Sequence, residues 1–216
     1  MKEEISVTPE ELYFLGKLLK AKYIDYDYIK AMSDIGQISA VAKQKAYEEL
    51  EKKHYIEEDF SGEITIDDDV KAILDPLFFG SFESSINVAV IGEKAEVYTY
   101  RLHKNGDRIS LAVFTDCGII VRVSNDTQLR SLIVSLLPEN YFNKELTIDT
   151  TVNKESITRV FAFKNNKIGE KTEVKVFFEC EGQIYFSDNN KTSVLTGEYF
   201  CEEAYRVLGG ADDGVH

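Results

Sequence analysis

The sequence predicts an α+β protein in which helices come first and antiparallel strands follow. Up to about Gly80, capping residues precede apolar residues at helical spacing. Beyond Gly80, short alternating segments are separated by turn residues, and Asn105-Gly106 is the strongest of these turn signals. Each of two strand-rich stretches ends in an amphipathic helix. Helices and runs of consecutive strands thus form separate blocks along the chain, as in α+β proteins.

Three helices are predicted in the first part of the chain. Thr8-Pro9-Glu10-Glu11 combines an N-cap, a proline at the first helical position and a capping box. Asp25 caps a second, short helix, which Ser33-Asp34-Ile35-Gly36 closes. A third helix runs from about Ser39 to Lys53 with its apolar residues on one face.

A hairpin and a fourth helix follow. Tyr55-Ile56 and Ile64-Thr65-Ile66 form the hairpin, and Asp67 caps a helix that Pro76 is expected to end. The segment from Ser39 to Leu77 therefore resembles a winged-helix unit. The hairpin carries four acidic residues that would repel phosphate, so protein binding or a structural role is preferred over DNA binding. These residues are Glu57, Glu58, Asp59 and Glu63.

Strand signals dominate between Gly80 and Val123. The predicted strands are Ile86–Ile91, Glu96–Leu102, a return strand with Ile109, Leu111 and Val113 alternating, and Ile119–Val123. Asn105-Gly106 and Asp116-Cys117-Gly118 are the predicted turns. Asn125 or Asp126 caps the helix that closes this stretch before Pro138.

The last part of the chain repeats this order. Leu146–Val152 is compatible with a strand and Lys154–Phe163 with a helix or a strand. The elements predicted after them are a strand with Val174, Val176 and Phe178 alternating, a turn at Glu181-Gly182, strands at Ile184–Phe186 and Ser193–Leu195 around a turn at Asp188-Asn189-Asn190, and a helix from the Thr196 cap to Gly209. Lys94-Ala95-Glu96-Val97 matches Lys171-Thr172-Glu173-Val174, and either an internal duplication or chance similarity of antiparallel patterns explains this.

Composition limits the function. The 216 residues include 38 acidic and 25 basic ones, a net charge of −13 that favours solubility and disfavours binding to nucleic acid or anionic lipid. The start of the chain lacks a signal-peptide pattern and no stretch is long and apolar enough to span a membrane, so a cytoplasmic location is expected. Cys117, Cys180 and Cys201 form no CxxC pair, which favours a reducing compartment without disulfides or zinc.

No pattern of catalytic, metal-binding or cofactor-binding residues is found. His54, His103 and His216 form no metal-binding or nucleophile spacing, and neither a GxSxG nor a phosphate-binding loop occurs. Asp67-Asp68-Asp69 opens a helix, where carboxylates favour the positive end of the dipole, so capping is preferred over metal binding.

The order of signals resembles the EspG-like, ESX secretion-associated chaperones of type VII secretion. The resemblance covers nearly the whole chain, with strands from Ile86 to Val123 and a helix to Leu137-Pro138. The segments that carry it are Thr8-Pro9-Glu10-Glu11-Leu12, Ala46-Tyr47-Glu48-Glu49-Leu50, Ile64-Thr65-Ile66, Tyr199-Phe200 and Ala204. It implies a central antiparallel sheet with pseudo-twofold halves, flanking helices and an N-terminal winged-helix-like section.

The resemblance also implies a function and a site. One domain would comprise a helical section (1–80), two sheet–helix halves (81–138 and 139–209) and a tail (210–216). The protein would be a cytosolic, non-catalytic chaperone that binds a helical type VII secretion substrate. The matching binding loop is His103-Lys104-Asn105-Gly106-Asp107.

Two other functions are compatible with the sequence. The acidic composition suits an immunity protein that inhibits a toxin by covering a basic active site. An enzyme that uses scattered carboxylates and tyrosines would require a pocket in which such groups converge with strongly shifted pKa values.

Overall fold

The computed structural model describes residues 2–32, 38–80, 82–142, 152, 154–167, 172–188 and 191–209. Within these ranges the chain forms six α-helices, one large antiparallel sheet and a separate two-stranded hairpin. This confirms the α+β class. The predicted closure at 33–36, most of the strand at 146–152 and the tail at 210–216 lie outside the described residues.

All six helices begin at polar N-caps that accept a hydrogen bond from the backbone of the first turn. The helices are α1 (Pro9–Leu18), α2 (Tyr26–Ile29), α3 (Ala40–Lys52), α4 (Asp68–Phe79), α5 (Asp126–Ser135) and α6 (Gly197–Val207). Their caps are Thr8, Asp25, Ser39, Asp67, Asn125 and Thr196. Short 3-10 turns occupy Glu139–Tyr141 and Lys154–Ser156. Asn125, rather than Asp126, caps α5, because Gln128 bonds back to its backbone and completes a capping box.

Eleven strands are found in the described part of the chain. They are β1 (Glu4–Val7), β2 (Ile56–Glu58), β3 (Ile64–Ile66), β4 (Phe82–Val90), β5 (Glu96–Asn105), β6 (Arg108–Thr115), β7 (Gly118–Ser124), β8 (Ile157–Lys167), β9 (Glu173–Cys180), β10 (Gln183–Asp188) and β11 (Lys191–Leu195). The large sheet has the order β1-β7-β6-β5-β4-β8-β9-β10-β11, and β2 pairs with β3 alone.

The strand order has pseudo-twofold symmetry. β4 to β7 form one meander that α5 follows, and β8 to β11 form a second that α6 follows. The two first strands, β4 and β8, pair antiparallel in a continuous register from Phe82↔Lys167 to Val90↔Arg159. Glu96 begins β5 and Glu173 begins β9, so the two matching sequence segments precede the second strand of each meander.

The chain divides into two compact units. Unit 1 comprises Met1–Ser81 and His103–Val123, and unit 2 comprises Phe82–Leu102 and Ser124–His216. β5 contributes residues to both.

Unit 1 is built around a core of aliphatic side chains from its helices. Leu12, Leu50 and Ile73, from α1, α3 and α4, are fully buried. Lys53, just after α3, donates to the Glu11 carboxylate at 2.7 Å and to the Ser6 carbonyl on β1 at 3.1 Å. Since the Glu11 side chain is only 3% exposed, this contact joins three elements through a nearly buried charge.

Helix α4 is longer than predicted. Pro76 lies inside it, and the helix ends at Gly80, whose N–H donates to the Pro76 carbonyl. The expectation that Pro76 ends the helix is therefore wrong. Proline lacks the N–H that would bond to the Ala72 carbonyl, so the helix continues past Pro76 without this one bond. One turn earlier, the Ser110 hydroxyl of β6 donates to the Ile73 carbonyl at 2.5 Å and ties the helix to the sheet.

Unit 2 is held together by phenylalanine rings. Phe200 of α6 meets Phe161, Phe163 and Phe177 with centroid distances of 5.2, 5.5 and 5.1 Å, each edge to face. Edge-to-face geometry places a positive ring edge on a negative ring face, which adds to the hydrophobic gain of burial. The four rings fix α6 on one face of β8 and β9.

Three details of the strands differ from, or complete, the sequence predictions. The β5–β6 hairpin is confirmed, but its turn is Gly106-Asp107, one residue later than predicted, with Gly106 at φ +60°. Ile109 to Ala112 are all buried, since both faces of β6 are covered, so simple alternation does not hold there. The ambiguous segment 154–163 is mainly strand, because β8 begins at Ile157.

We expect Phe200→Ala to lower the free energy of unfolding by about 3–5 kcal/mol, because it removes the ring that the three sheet phenylalanines contact. The neighbouring Tyr199 is 48% exposed, so Tyr199→Ala is the matched control and should stay within about 0.5 kcal/mol of wild type. Urea unfolding followed by circular dichroism measures both. Equal effects of the two variants would contradict this account of unit 2.

Lys53→Ala should lower the free energy of unfolding by about 2 kcal/mol, because the nearly buried Glu11 carboxylate loses its charged partner and Lys53 itself is 33% exposed. Its neighbour Lys52 pairs with Glu49 on the open surface, so Lys52→Ala should leave stability nearly unchanged. Thermal and urea unfolding of both variants provide the test, and an effect of Lys52→Ala as large as that of Lys53→Ala would refute it.

Candidate functional site

The predicted binding segment, His103 to Asp107, forms the end of β5 and the turn into β6. Gly106 and Asp107 are exposed, whereas Lys104 and Asn105 are half-buried and His103 is buried. Of this segment, only the two turn residues, Gly106 and Asp107, are fully accessible to a partner. The role of the segment in binding stays a prediction.

The buried part of this segment holds the hairpin in place. His103 Nε2 lies 2.7 Å from the Tyr28 hydroxyl of α2. The Asn105 side-chain amide donates to the Asp75 carboxylate of α4 at 2.8 Å, which keeps Asn105 in the strand and moves the turn to Gly106. A Cβ on Gly80 would lie 2.6 Å from the Lys104 carbonyl oxygen, so this glycine allows α4 and β5 to approach closely.

A second candidate surface lies on the sheet of unit 2, on the face that points away from α6. Because side chains alternate along a strand, the residues between the core phenylalanines point to the other face. Val160 and Ala162 alternate with Phe161 and Phe163, and the register places them opposite Phe178 and Val176. We call this surface the open face and define it by Ala89, Val97, Val160, Ala162, Val174, Val176 and Phe178.

The open face is largely apolar and accessible, with the exposed Lys164 opposite Val174 as its charged member. Val97, Val174 and Val176 are 65%, 54% and 41% exposed, although β-branched residues of this kind gain most from burial. Phe178 is half-buried and stacks on Tyr185 with the ring planes 9° apart. The face thus offers a rigid apolar strip in which ring and methyl groups are already ordered.

Polar pairs border the strip. Thr99 donates to the Asn87 side-chain carbonyl at 3.0 Å, and Arg101 forms an ion pair with Glu83. These polar groups pair with one another and leave the valines as the exposed apolar part. An apolar centre with a polar border is the usual anatomy of a protein–protein interface.

The β2–β3 hairpin presents the predicted acidic surface. Its tip is fixed by the Asp59 carboxylate, which accepts hydrogen bonds from the Ser61 hydroxyl, the Ser61 N–H and the Glu63 N–H at 2.7–2.9 Å. The Ser61 hydroxyl bond is the main cause that lowers the pKa of Asp59. Tyr47 of α3 donates to Glu58 at 2.5 Å, and this bond raises the pKa of Tyr47 to about 12.

Two features of the described residues bear on metal binding and on thiol chemistry. No group of three or more His, Cys, Asp or Glu side chains there could hold a metal ion. Burial raises the pKa of the Cys201 thiol to about 11, with further contributions from Glu198 and Glu202, so the thiolate is scarce at neutral pH. In the same part of the chain, no helix is long and apolar enough to cross a membrane.

The fold and these surfaces define an α+β protein with a pseudo-twofold sheet, whose accessible features suit contact with another protein. Its backbone is similar to that of the Mycobacterium tuberculosis type VII secretion system chaperone EspG5, which was solved in complex with the PE25–PPE41 dimer. The TM-score is 0.64 over 99% of this chain and 98% of that chain, at 10% sequence identity. No protein-family model and no curated protein matches the sequence.

At this identity the similarity shows the fold alone, and it confirms the EspG-like architecture predicted from the order of sequence signals. The open face was missed. Its signal is the alternation of Val174, Val176 and Phe178, which was recognised as a strand but does not reveal which face a helix covers.

Iodoacetamide labelling followed by mass spectrometry should modify the exposed Cys117 well before Cys201. A thiol pKa about two units above the ordinary value of 9 leaves about a hundredfold less thiolate near pH 8. Labelling of Cys201 should rise as the pH approaches 11, and Cys117→Ser provides the control for assignment. Rapid labelling of Cys201 at neutral pH would instead favour a reactive, enzyme-like thiol.

Proposed function

We propose that this protein is a cytosolic chaperone or adaptor that binds a substrate of a type VII secretion system and keeps it soluble for export, without catalysis or a cofactor. The observation that carries the proposal is the likeness to EspG5 over nearly the full length of both chains. That neighbour was captured with the PE25–PPE41 dimer.

The open face is the surface we assign to the substrate. Val174 and Val176 would bury the apolar side chains of a helical segment that otherwise drives self-association. A stable interface of this kind buries on the order of 1,600 Å² in total. Because Phe178 and Tyr185 are already stacked, little side-chain entropy is lost on this side of the interface.

The turn of the β5–β6 hairpin is proposed as a second contact. Gly106 and Asp107 reach the substrate, while His103, Lys104 and Asn105 position the turn through the contacts with α2 and α4. Binding is stoichiometric, and release of the substrate to the secretion machinery completes the cycle. No nucleic acid takes part, in keeping with the net charge of −13.

Affinity purification of the tagged protein from its native cells tests this function. Wild type should retain a secreted, helical type VII substrate in near-equal amount. Val176→Lys should reduce its recovery about tenfold or more, because the interface would bury an unpaired charge. Val134→Lys is the matched control, since Val134 is 45% exposed on α5 and Val176 is 41% exposed on the open face.

The other outcomes separate the alternatives. A toxin in place of a secretion substrate would support the immunity function. If Val176→Lys recovers as much substrate as wild type, the open face is not the binding surface. If no partner is recovered with wild type, the chaperone function is refuted. Deletion of this protein from its native cells should also lower the amount of soluble substrate in cell extracts.

A further inference from the structure

A groove of about 310 Å³ lies in unit 1 between α3 and the β2–β3 hairpin. Phe14, Tyr47 and Ile64 supply apolar and aromatic surface, and Lys43 and Glu58 supply charged groups. Phe14 is buried against the core and packs edge to face on Tyr47 at 6.5 Å, so this wall of the groove is fixed. A groove of this size, at the small end of the range for ligand pockets, can hold one or two side chains.

Phe60 stands at the hairpin tip, a few residues from the groove-lining Glu58 and Ile64, which are cross-strand partners. Its side chain is fully exposed, more so than any other large apolar side chain in the described residues, of which Val41 at 80% comes next. Exposing a whole phenylalanine to water forgoes about 1.5–3 kcal/mol of burial. Nothing in the core requires the ring at this position.

The surroundings fix the backbone that carries the ring. The Asp59 carboxylate bonds fix the turn, and the Tyr47–Glu58 hydrogen bond ties the hairpin to α3. A partner would therefore meet an aromatic side chain on a preorganised turn and lose little backbone entropy in ordering it. Aromatic anchors of this sort carry a large share of the energy at protein interfaces.

Charge selects the partner. The segment from Ile56 to Ile66 contains four carboxylates and no basic residue. Lys43 is the one cation among the residues that line the groove in the described chain. A second copy of this chain, also at −13, would be repelled, and so would a nucleic acid. Lysine or arginine side chains beside an apolar centre complement this surface.

We infer that the groove and Phe60 form a docking surface for a basic, amphipathic segment of another protein. Apolar side chains of that segment enter the groove beside Phe14 and Ile64 and cover Phe60. Its flanking cations lie in the negative field of the hairpin, in which Glu58 is on the groove side and Glu57 and Glu63 are on the other side of the strands. This surface shares no residue with the open face or the β5–β6 hairpin, so it goes beyond the proposed chaperone function and does not depend on it.

The test uses two fluorescent synthetic peptides. One has leucine and lysine at the spacing of an amphipathic helix, and the other has glutamate in place of each lysine. Fluorescence anisotropy should show binding of the lysine peptide only. Phe60→Ser should weaken it about tenfold or more. Tyr23→Ser is the matched control, because Tyr23 is another aromatic of unit 1 that is 75% exposed, and it should bind as wild type does.

Charge is tested with the double variant Glu57→Lys, Glu63→Lys, which should weaken binding and reduce its salt dependence. Since Phe60, Glu57 and Glu63 make no core contact, thermal unfolding should confirm that the variants fold. Absence of binding to wild type, equal binding to Phe60→Ser, or equal binding of both peptides would overturn the inference. The Val176→Lys variant should still bind the lysine peptide. Failure of the docking surface can therefore be distinguished from failure of the chaperone function.

Discussion

The register between β4, β8 and β9 is the constraint on which unit 2 depends. Side chains alternate across a sheet, so a slip of one residue would exchange the two faces. In the observed register Phe161 and Phe163 lie opposite Val88 and Ile86 of β4, where they can meet Phe200. The same register sends Val160 and Ala162 to the open face. One pairing thus creates both the core and the candidate binding surface.

Some groups that could bind another chain are covered within the protein, and others are left exposed. Edge strand β1 is protected, because Tyr55 and Lys53 satisfy the outward N–H and C=O of Ser6. By contrast, Val174, Val176 and Phe60 remain accessible on rigid backbone. Exposed apolar side chains are costly in a monomer and useful at an interface.

Prediction of the β5–β6 hairpin from sequence succeeded where the signal was local and failed where it was not. Gly106 marked the β5–β6 hairpin correctly, yet the turn moved by one residue because Asn105 is bonded to Asp75, thirty residues earlier. His103 belonged to the predicted loop, but its burial against Tyr28 depends on a helix distant in sequence. The open face depends on which side α6 covers, and no pattern within β9 encodes this.

Local sequence signals were sufficient to predict the α+β class, where all six helices of the described chain begin, and most strand positions. These are decided by interactions among residues a few positions apart, such as Thr8 with Glu11 and Asn125 with Gln128. The packing of the folded chain decided that α4 continues past Pro76 and that 157–167 is a central strand. It also decided which valines are left exposed. Such outcomes depend on long-range pairing and burial, whose energies exceed local propensities.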